Sequence, residues 1–183
     1  CRCHRRVTIQ VEAFEDWQPG EGRYDIVMSA TAFHWIAPEV GYTKAASVLK
    51  DSGYIALFWN MPPEQPLTGF AREAQAVYRD VVPEWGDPRD RPSTDERITA
   101  TEATINHTGL FEPVQVRRYP WVIDYTTEEY IRLLNTYSDH RSLDEGTRSR
   151  LFERIGDLVD GAYGGVVTRP YLAVLHIARK RAF

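Results

Sequence analysis

The side chains best placed to do chemistry stand together at Phe33-His34-Trp35, an imidazole between two large aromatic rings. Histidine is the side chain most ready to exchange a proton near neutral pH, so His34 is a candidate general base. Two other roles fit it: orienting a bound molecule through a hydrogen bond, or packing idly against backbone at a strand end. Trp17, Trp35, Trp59 and Trp121 can wall an aromatic pocket or fill a core, with the core or edge reading leading for Trp121. Tyr137, His140 and Arg141 share one short polar stretch. An arginine there can pair bidentately with a carboxylate or stand as a solvated surface charge. Arg117 and Arg118 read as surface. At the chain start, Cys1, Cys3 and His4 form a Cys-x-Cys-His cluster with no second ligand pair elsewhere, which is poor zinc spacing. A frayed, basic chain start in a reducing cytoplasm accounts for it as well.

The elements that must position these groups are legible in the pattern. Residues 7–11 (VTIQV) alternate β-branched and polar side chains, as a short strand should, and residues 12–17 leave it as a loop. A Gly-rich turn at 20–23 leads into Tyr24-Asp25 and the run Ile26-Val27-Met28. Consecutive apolar positions predict a strand buried on both faces, the usual state of a parallel strand between helix layers. It stops at Ser29, Ala30, Thr31 and Ala32, immediately before His34. In open α/β sheets ligands sit at the carboxyl ends of such strands. Pro38 then opens a helix carrying Val40, Ala45, Val48 and Leu49, expected to end near Asp51-Ser52-Gly53, and residues 54–59 (YIALFW) form a second apolar strand. Strand, helix and strand with short connections make a βαβ crossover with parallel pairing.

Beyond Asn60 and Pro62-Pro63, apolar residues recur at helical spacing from Leu67 to Val81. Ser93 to Glu96 has the form of a capping box opening a helix that Gly109 can stop. Residues 113–121 read as a strand whose Pro120 suggests an exposed edge. Residues 126–129 and 142–145 can each cap a further helix, and Gly161, Gly164 and Gly165 precede a last apolar strand at 171–178. The expectation is one α/β domain over 1–183, with helices at about 126–160 forming a cap.

The 183 residues are 43% hydrophobic and 26% charged, ordinary for one soluble globular domain. A net charge of -4 gives no electrostatic footprint for nucleic acid or an anionic membrane surface. No apolar stretch approaches the roughly 20 residues that span a bilayer, and no signal-peptide pattern opens the chain. A cytoplasmic location is the expectation.

Several segments together resemble the class I S-adenosylmethionine-dependent methyltransferases, nearest their small-molecule branch. They are FEDW (14–17), YDIVMSATAFHW (24–35), the turn VLKDSGY (48–54), ALFWN (56–60), TYSDH (136–140) and RPYLAVLHIARK (169–180). The resemblance runs from Val7 onward over nearly the whole chain. It implies a Rossmann-like sheet with residues 7–11 as its third strand and 24–28 as its fourth. It implies that Ala13, Phe14 and Glu15 lie by the adenine of S-adenosylmethionine. Ala13 stands where many relatives carry an acidic residue, so a backbone amide at Phe14 or Glu15 would make that contact. Ser29, Ala30, Thr31 and Ala32 would line the methionine part of the cofactor. Phe33, His34, Trp35, Trp59 and Asn60 would face cofactor and substrate, with Tyr137 and Arg141 reaching the substrate from the cap.

The same resemblance marks a departure. The family's glycine-rich loop and the acidic end of its second strand have no counterpart here. In the family's strand order, 3-2-1-4-5-7-6, the two strands that carry them lie between the third and the fourth. Without them the strand at 26–28 would present an unpaired apolar edge, which native proteins avoid. The expectation is therefore a partial sheet lacking its first two strands: a fragment of a longer polypeptide, a chain whose front half was not resolved, or a chain whose sheet a partner or second copy completes. The implied activity is methyl transfer from S-adenosylmethionine to a small-molecule acceptor, with neither nucleic acid nor membrane as partner and no metal. The rival is a non-catalytic methyltransferase-like remnant acting as an interaction module.

Overall fold

The computed structural model describes residues 7–20, 23–63 and 69–182, so Cys1, Cys3, His4 and Leu67 lie outside the described residues. The first strand, β1 (Tyr24–Ala30), is followed by a 3-10 turn at Phe33–Trp35 and helix α1 (Pro38–Val48). Strand β2 (Leu49–Met61) comes next and pairs with β1 in parallel, from Ile26 opposite Tyr54 to Ala30 opposite Phe58. The expected βαβ unit is present. Its helix ends earlier than the sequence suggests. Asp51-Ser52-Gly53 is strand, and the pairing register slips between Tyr24 and Ile26 to accommodate it. Gly53 makes that slip feasible, because a Cβ there would stand 3.0 Å from the Tyr24 carbonyl oxygen. A turn-like tripeptide has become an irregularity inside a long strand.

The rest follows in chain order: α2 (Gly69–Val81), α3 (Thr94–His107), β3 (Gln115–Thr126), α4 (Thr127–Leu134), α5 (Ser138–Ser142), α6 (Glu145–Tyr163) and β4 (Val166–Arg179), with 3-10 turns at Pro83–Trp85 and Pro88–Asp90. The mixed sheet has the order β1-β2-β4-β3, which is the 4-5-7-6 part of the order implied by the resemblance. The α/β, Rossmann-like class stands.

Two expectations about strands are corrected. Residues 7–11 are not a strand, and Val7, Ile9 and Val11 are 73–98% exposed, because no described strand lies alongside to complete a ladder. Strand β1 is not buried on both faces: it lies at the sheet edge with Ile26 and Met28 48% and 63% exposed. Consecutive apolar residues reported its chemistry but not the number of its neighbours. At the opposite edge of the described sheet β3 carries Pro120, a residue without a backbone N–H that edge strands tolerate.

The chain folds into two units. The first holds the described residues to Trp59, Thr99–Arg117 and those from Val174 onward; the second holds Asn60–Ile98 and Arg118–Ala173. In the first unit the core gathers on β2, where Leu49, Ile55 and Leu57 are fully buried, with Val48, Ile105, Phe111 and Val174. In the second, Ala74, Val77 and Val81 of α2 meet Leu151, Ile155 and Val159 of α6 and Tyr130 and Leu134 of α4. That spacing of three and four residues is what the sequence displays. Capping follows expectation at α3 and α4, where Ser93 with Glu96 and Thr126 with Glu129 form reciprocal side-chain to backbone bonds. At α6 the cap is Asp144, which accepts from the Thr147 amide at 3.0 Å, while Ser142 ends α5. Helix α6 continues through Gly161 and stops at Gly164, whose φ of 62° suits a left-handed cap. No described helix is long and apolar enough to cross a membrane.

Gly41 of α1 is a packing constraint: a Cβ on it would lie 3.0 Å from both the Phe33 ring and Ile36. Gly41→Val should lower stability by about 1–3 kcal/mol through overpacking, measured by urea denaturation against wild type.

Candidate functional site

The end of β1 is built by residues far apart in sequence. A turn at 13–17 closes as the amides of Asp16 and Trp17 donate to the Ala13 carbonyl at 3.1 and 3.0 Å. Lys44 of α1 pins it by donating to the Glu15 carbonyl at 2.6 Å and by lying over the Phe14 ring. The half-buried Phe14 stacks on Trp17 and stands 6.5 Å from the Phe33 ring. Three residues expected at the adenine are thus brought beside the β1 strand end. The amides of Phe14 and Glu15 donate to no other described residue, which leaves them available to an acceptor.

Across from this wall, Ser29 is half-buried while Ala30, Thr31 and Ala32 are exposed. Thr31 has φ of 52°. That is a strained conformation for a β-branched residue, costing about 1–3 kcal/mol. It is held because the Thr31 amide still donates to the Phe58 carbonyl at 2.9 Å, so the chain turns sharply without leaving β2. The next residues divide their roles. Phe33 is buried against Tyr42, with ring centroids 5.0 Å apart, so it supports the turn from beneath. Burial also raises the Tyr42 phenol to about 12, which keeps it neutral. His34 and Trp35 are exposed, their rings 4.9 Å apart.

His34 is oriented from below by β2. The buried Trp59 donates its indole N–H to His34 Nδ1 at 3.1 Å, and the Trp59 ring lies edge-on to the buried His176. Indole nitrogen is a donor only, so Nδ1 must be the accepting nitrogen and the neutral ring carries its proton on Nε2. Sequence reading named both residues but could not join them.

The remaining expected positions lie in the second unit. Asn60 is exposed and accepts from the indole of Trp121 at 3.3 Å, and Trp121 stacks on Tyr171 at 4.7 Å. Tyr137 lines a cavity of about 460 Å³; Arg141 is exposed and does not. Within the cavity wall sits a group that sequence reading did not assemble. Buried His140 bonds Asp139 Oδ1 through Nδ1 at 2.7 Å and meets the Tyr78 hydroxyl at Nε2, 2.9 Å away. A carboxylate only accepts, so Nδ1 carries the proton toward Asp139, and in the neutral form of the ring Nε2 is left to accept from the Tyr78 hydroxyl. Burial, followed by the Tyr130 phenol, pushes the Tyr78 pKa far up, which keeps that proton on Tyr78. Arg169 also lines the cavity; its Nη1 donates to the Tyr130 hydroxyl at 2.9 Å. No set of three or more potential metal-ligating side chains occurs among the described residues.

No family model matches the chain. Over 137 residues it is 28% identical to the uncharacterized methyltransferases Mb3374 of Mycobacterium bovis and Rv3342 of Mycobacterium tuberculosis, covering 74% of this chain. It spans about half the length of these curated relatives, 48%. Among solved structures it superposes on a candidate type II methyltransferase from Anaeromyxobacter dehalogenans with a TM-score of 0.56, at 19% identity, covering 97% of this chain and 72% of that one. The fold is a methyltransferase fold. A candidate methyltransferase from an antibiotic biosynthesis pathway of Anabaena variabilis matches with a TM-score of 0.52, at 16% identity, over 88% of this chain and 69% of that one.

Tyr78→Phe removes the donor from a buried imidazole acceptor and should cost about 1–3 kcal/mol, read by denaturant titration of the purified variant.

Proposed function

We propose that this chain forms part of an S-adenosylmethionine-dependent methyltransferase that acts on a small molecule. The observation that carries the reading is the β1 strand end. There an aromatic wall of Phe14 and Phe33, two available amides and a strained turn of small residues converge with an oriented imidazole. This arrangement suits the apolar adenine of the cofactor, with the Phe14 or Glu15 amide donating to its ring edge and Ser29, Ala30, Thr31 and Ala32 leaving room beside the methionine part. Ala13 contributes only backbone. The cofactor, when bound, supplies a methyl group already activated on sulfur.

What the protein must add is therefore position and dryness rather than covalent help. The exposed Trp35 and the His34 imidazole stand where an acceptor would be held, Trp35 as an apolar face and His34 as a hydrogen-bonding group. Because Trp59 occupies Nδ1, neutral His34 presents an N–H at Nε2. It serves best by donating to an acceptor's oxygen or nitrogen and fixing its lone pair toward the methyl group. Proton removal at Nδ1 requires the Trp59 bond to break first. His34 is thus proposed as an orienting catalytic residue.

Calorimetric titration of the full-length polypeptide of which this chain forms part with S-adenosylhomocysteine tests the function: saturable binding is expected, and absence of heat together with absence of thermal stabilisation would leave the rival interaction-module reading. For His34, Gln can place a side-chain N–H near the Nε2 position and Ala cannot. His34→Gln is expected to keep turnover within about tenfold of wild type while His34→Ala loses about 10²-fold. Equal, severe losses in both variants, with cofactor affinity intact, would instead point to proton transfer.

A further inference from the structure

The cavity of the second unit has a charge pattern that its own residues do not balance. Two guanidinium groups line it, Arg91 and Arg169, and neither forms an ion pair among the described residues. The one carboxylate among the described lining residues, Asp139, is committed to His140. Arg169 is the better placed cation. It is half-buried, and its guanidinium lies 5.4 Å from the ring centroids of both Tyr130 and Tyr171. Burial works against its charge, but the Tyr130, Tyr171 and Tyr137 phenols outweigh it and raise its pKa above the ordinary value. The group is therefore a cation held in place by π faces and one hydroxyl, with most of its five N–H donors uncommitted.

The rest of the lining is apolar and aromatic: Phe70, Tyr78, Trp85 and Tyr137 contribute rings, and Tyr78 and Trp85 stack at 5.7 Å. A volume of about 460 Å³ is in the range of small-molecule sites, roughly 300–1,000 Å³, which are mainly apolar with a few placed polar groups. Arg91 spends an N–H on the Trp85 carbonyl at 3.1 Å, so Arg169 is the planar fork set among the aromatic walls, and one such fork matches a planar monoanion with an apolar body.

We propose that this cavity binds a small organic carboxylate, its carboxylate paired with Arg169 and its apolar body laid against Tyr78, Trp85 and Phe70. As a binding site it stands on the cavity alone and goes beyond the function proposed above. Arg169, rather than Arg141, is then the anion-recognising residue.

The test is a calorimetric panel of benzoate, cinnamate, hexanoate and itaconate, each titrated beside its uncharged amide into the protein without methyl donor. At least one acid should bind saturably and about tenfold or more tighter than its amide, the worth of one charge-assisted pair. Arg169→Met should bring that acid down to the affinity of its amide while leaving amide binding unchanged, and Arg169→Lys should fall between. Should Arg169→Met not fold, Tyr130→Phe removes only the hydroxyl that anchors Nη1, and it should weaken the acid several-fold without touching the amide. No preference for any acid in the panel, or an acid preference that survives both variants, overturns the proposal. Because methyl donor is absent, the outcome is independent of the S-adenosylhomocysteine titration, and either can fail alone.

Discussion

The parallel pairing of β1 with β2 is the constraint on which the first unit depends. A parallel neighbour requires a crossover, and α1 supplies it. The strand that receives the crossover is apolar at nearly every position from Ile55 to Trp59, so it is the natural centre of the core. Its backbone then fixes the end of β1 through Ala30 and Thr31, and its Trp59 side chain sets the ring of His34. The same strand meets the C-terminal segment where Lys180 donates its amide to the Gly53 carbonyl at 2.8 Å. Site and core are thus two faces of one strand, and a change in the packing of β2 would reach the imidazole through a single hydrogen bond.

The second unit is organised differently. Its core is helical, with α2, α4 and α6 burying aliphatic stripes against one another. The cavity wall is a shell of rings beside that core, in which His140 meets Tyr78, Trp85 and Tyr137, with Phe152 packed behind it. An imidazole with both nitrogens engaged is a rigid polar pin among these rings. Tyr78 and Trp85 pack on His140 and on one another, which fixes that side of the cavity wall.

Much of this was readable from one dimension. Periodicity located α2, α4, α6 and the βαβ unit, and the Ser93 and Thr126 boxes marked helix starts, because these signals are local. The misreadings came where a local pattern has two tertiary outcomes. Ile26-Val27-Met28 is apolar whether a strand lies between neighbours or at an edge. Asp51-Ser52-Gly53 suits a helix end, and suits equally a slipped register where only glycine tolerates the Tyr24 carbonyl. Ser142 and Asp144 both cap well, and the helix phase decides between them. The candidate site was legible as residue types, with Phe14, His34 and Trp59 all named. Their joining was not, because the Trp59 to His34 bond spans 25 positions. Arg169 is given no role in the sequence for the same reason: it stands just before the strand expected at 171–178, and only the rings of Tyr130 and Tyr171 give it a purpose.

Thr31 carries a further consequence. Its left-handed backbone is one that glycine or asparagine would occupy at lower cost, and its amide bond to Phe58 holds it there. The position therefore stores conformational energy at the mouth of the proposed cofactor site. A population of variants screened for heat resistance would drift toward glycine or asparagine at 31, and one screened for turnover would be free to keep the threonine. Thermal tolerance and catalytic fitness meet at this residue with opposite demands.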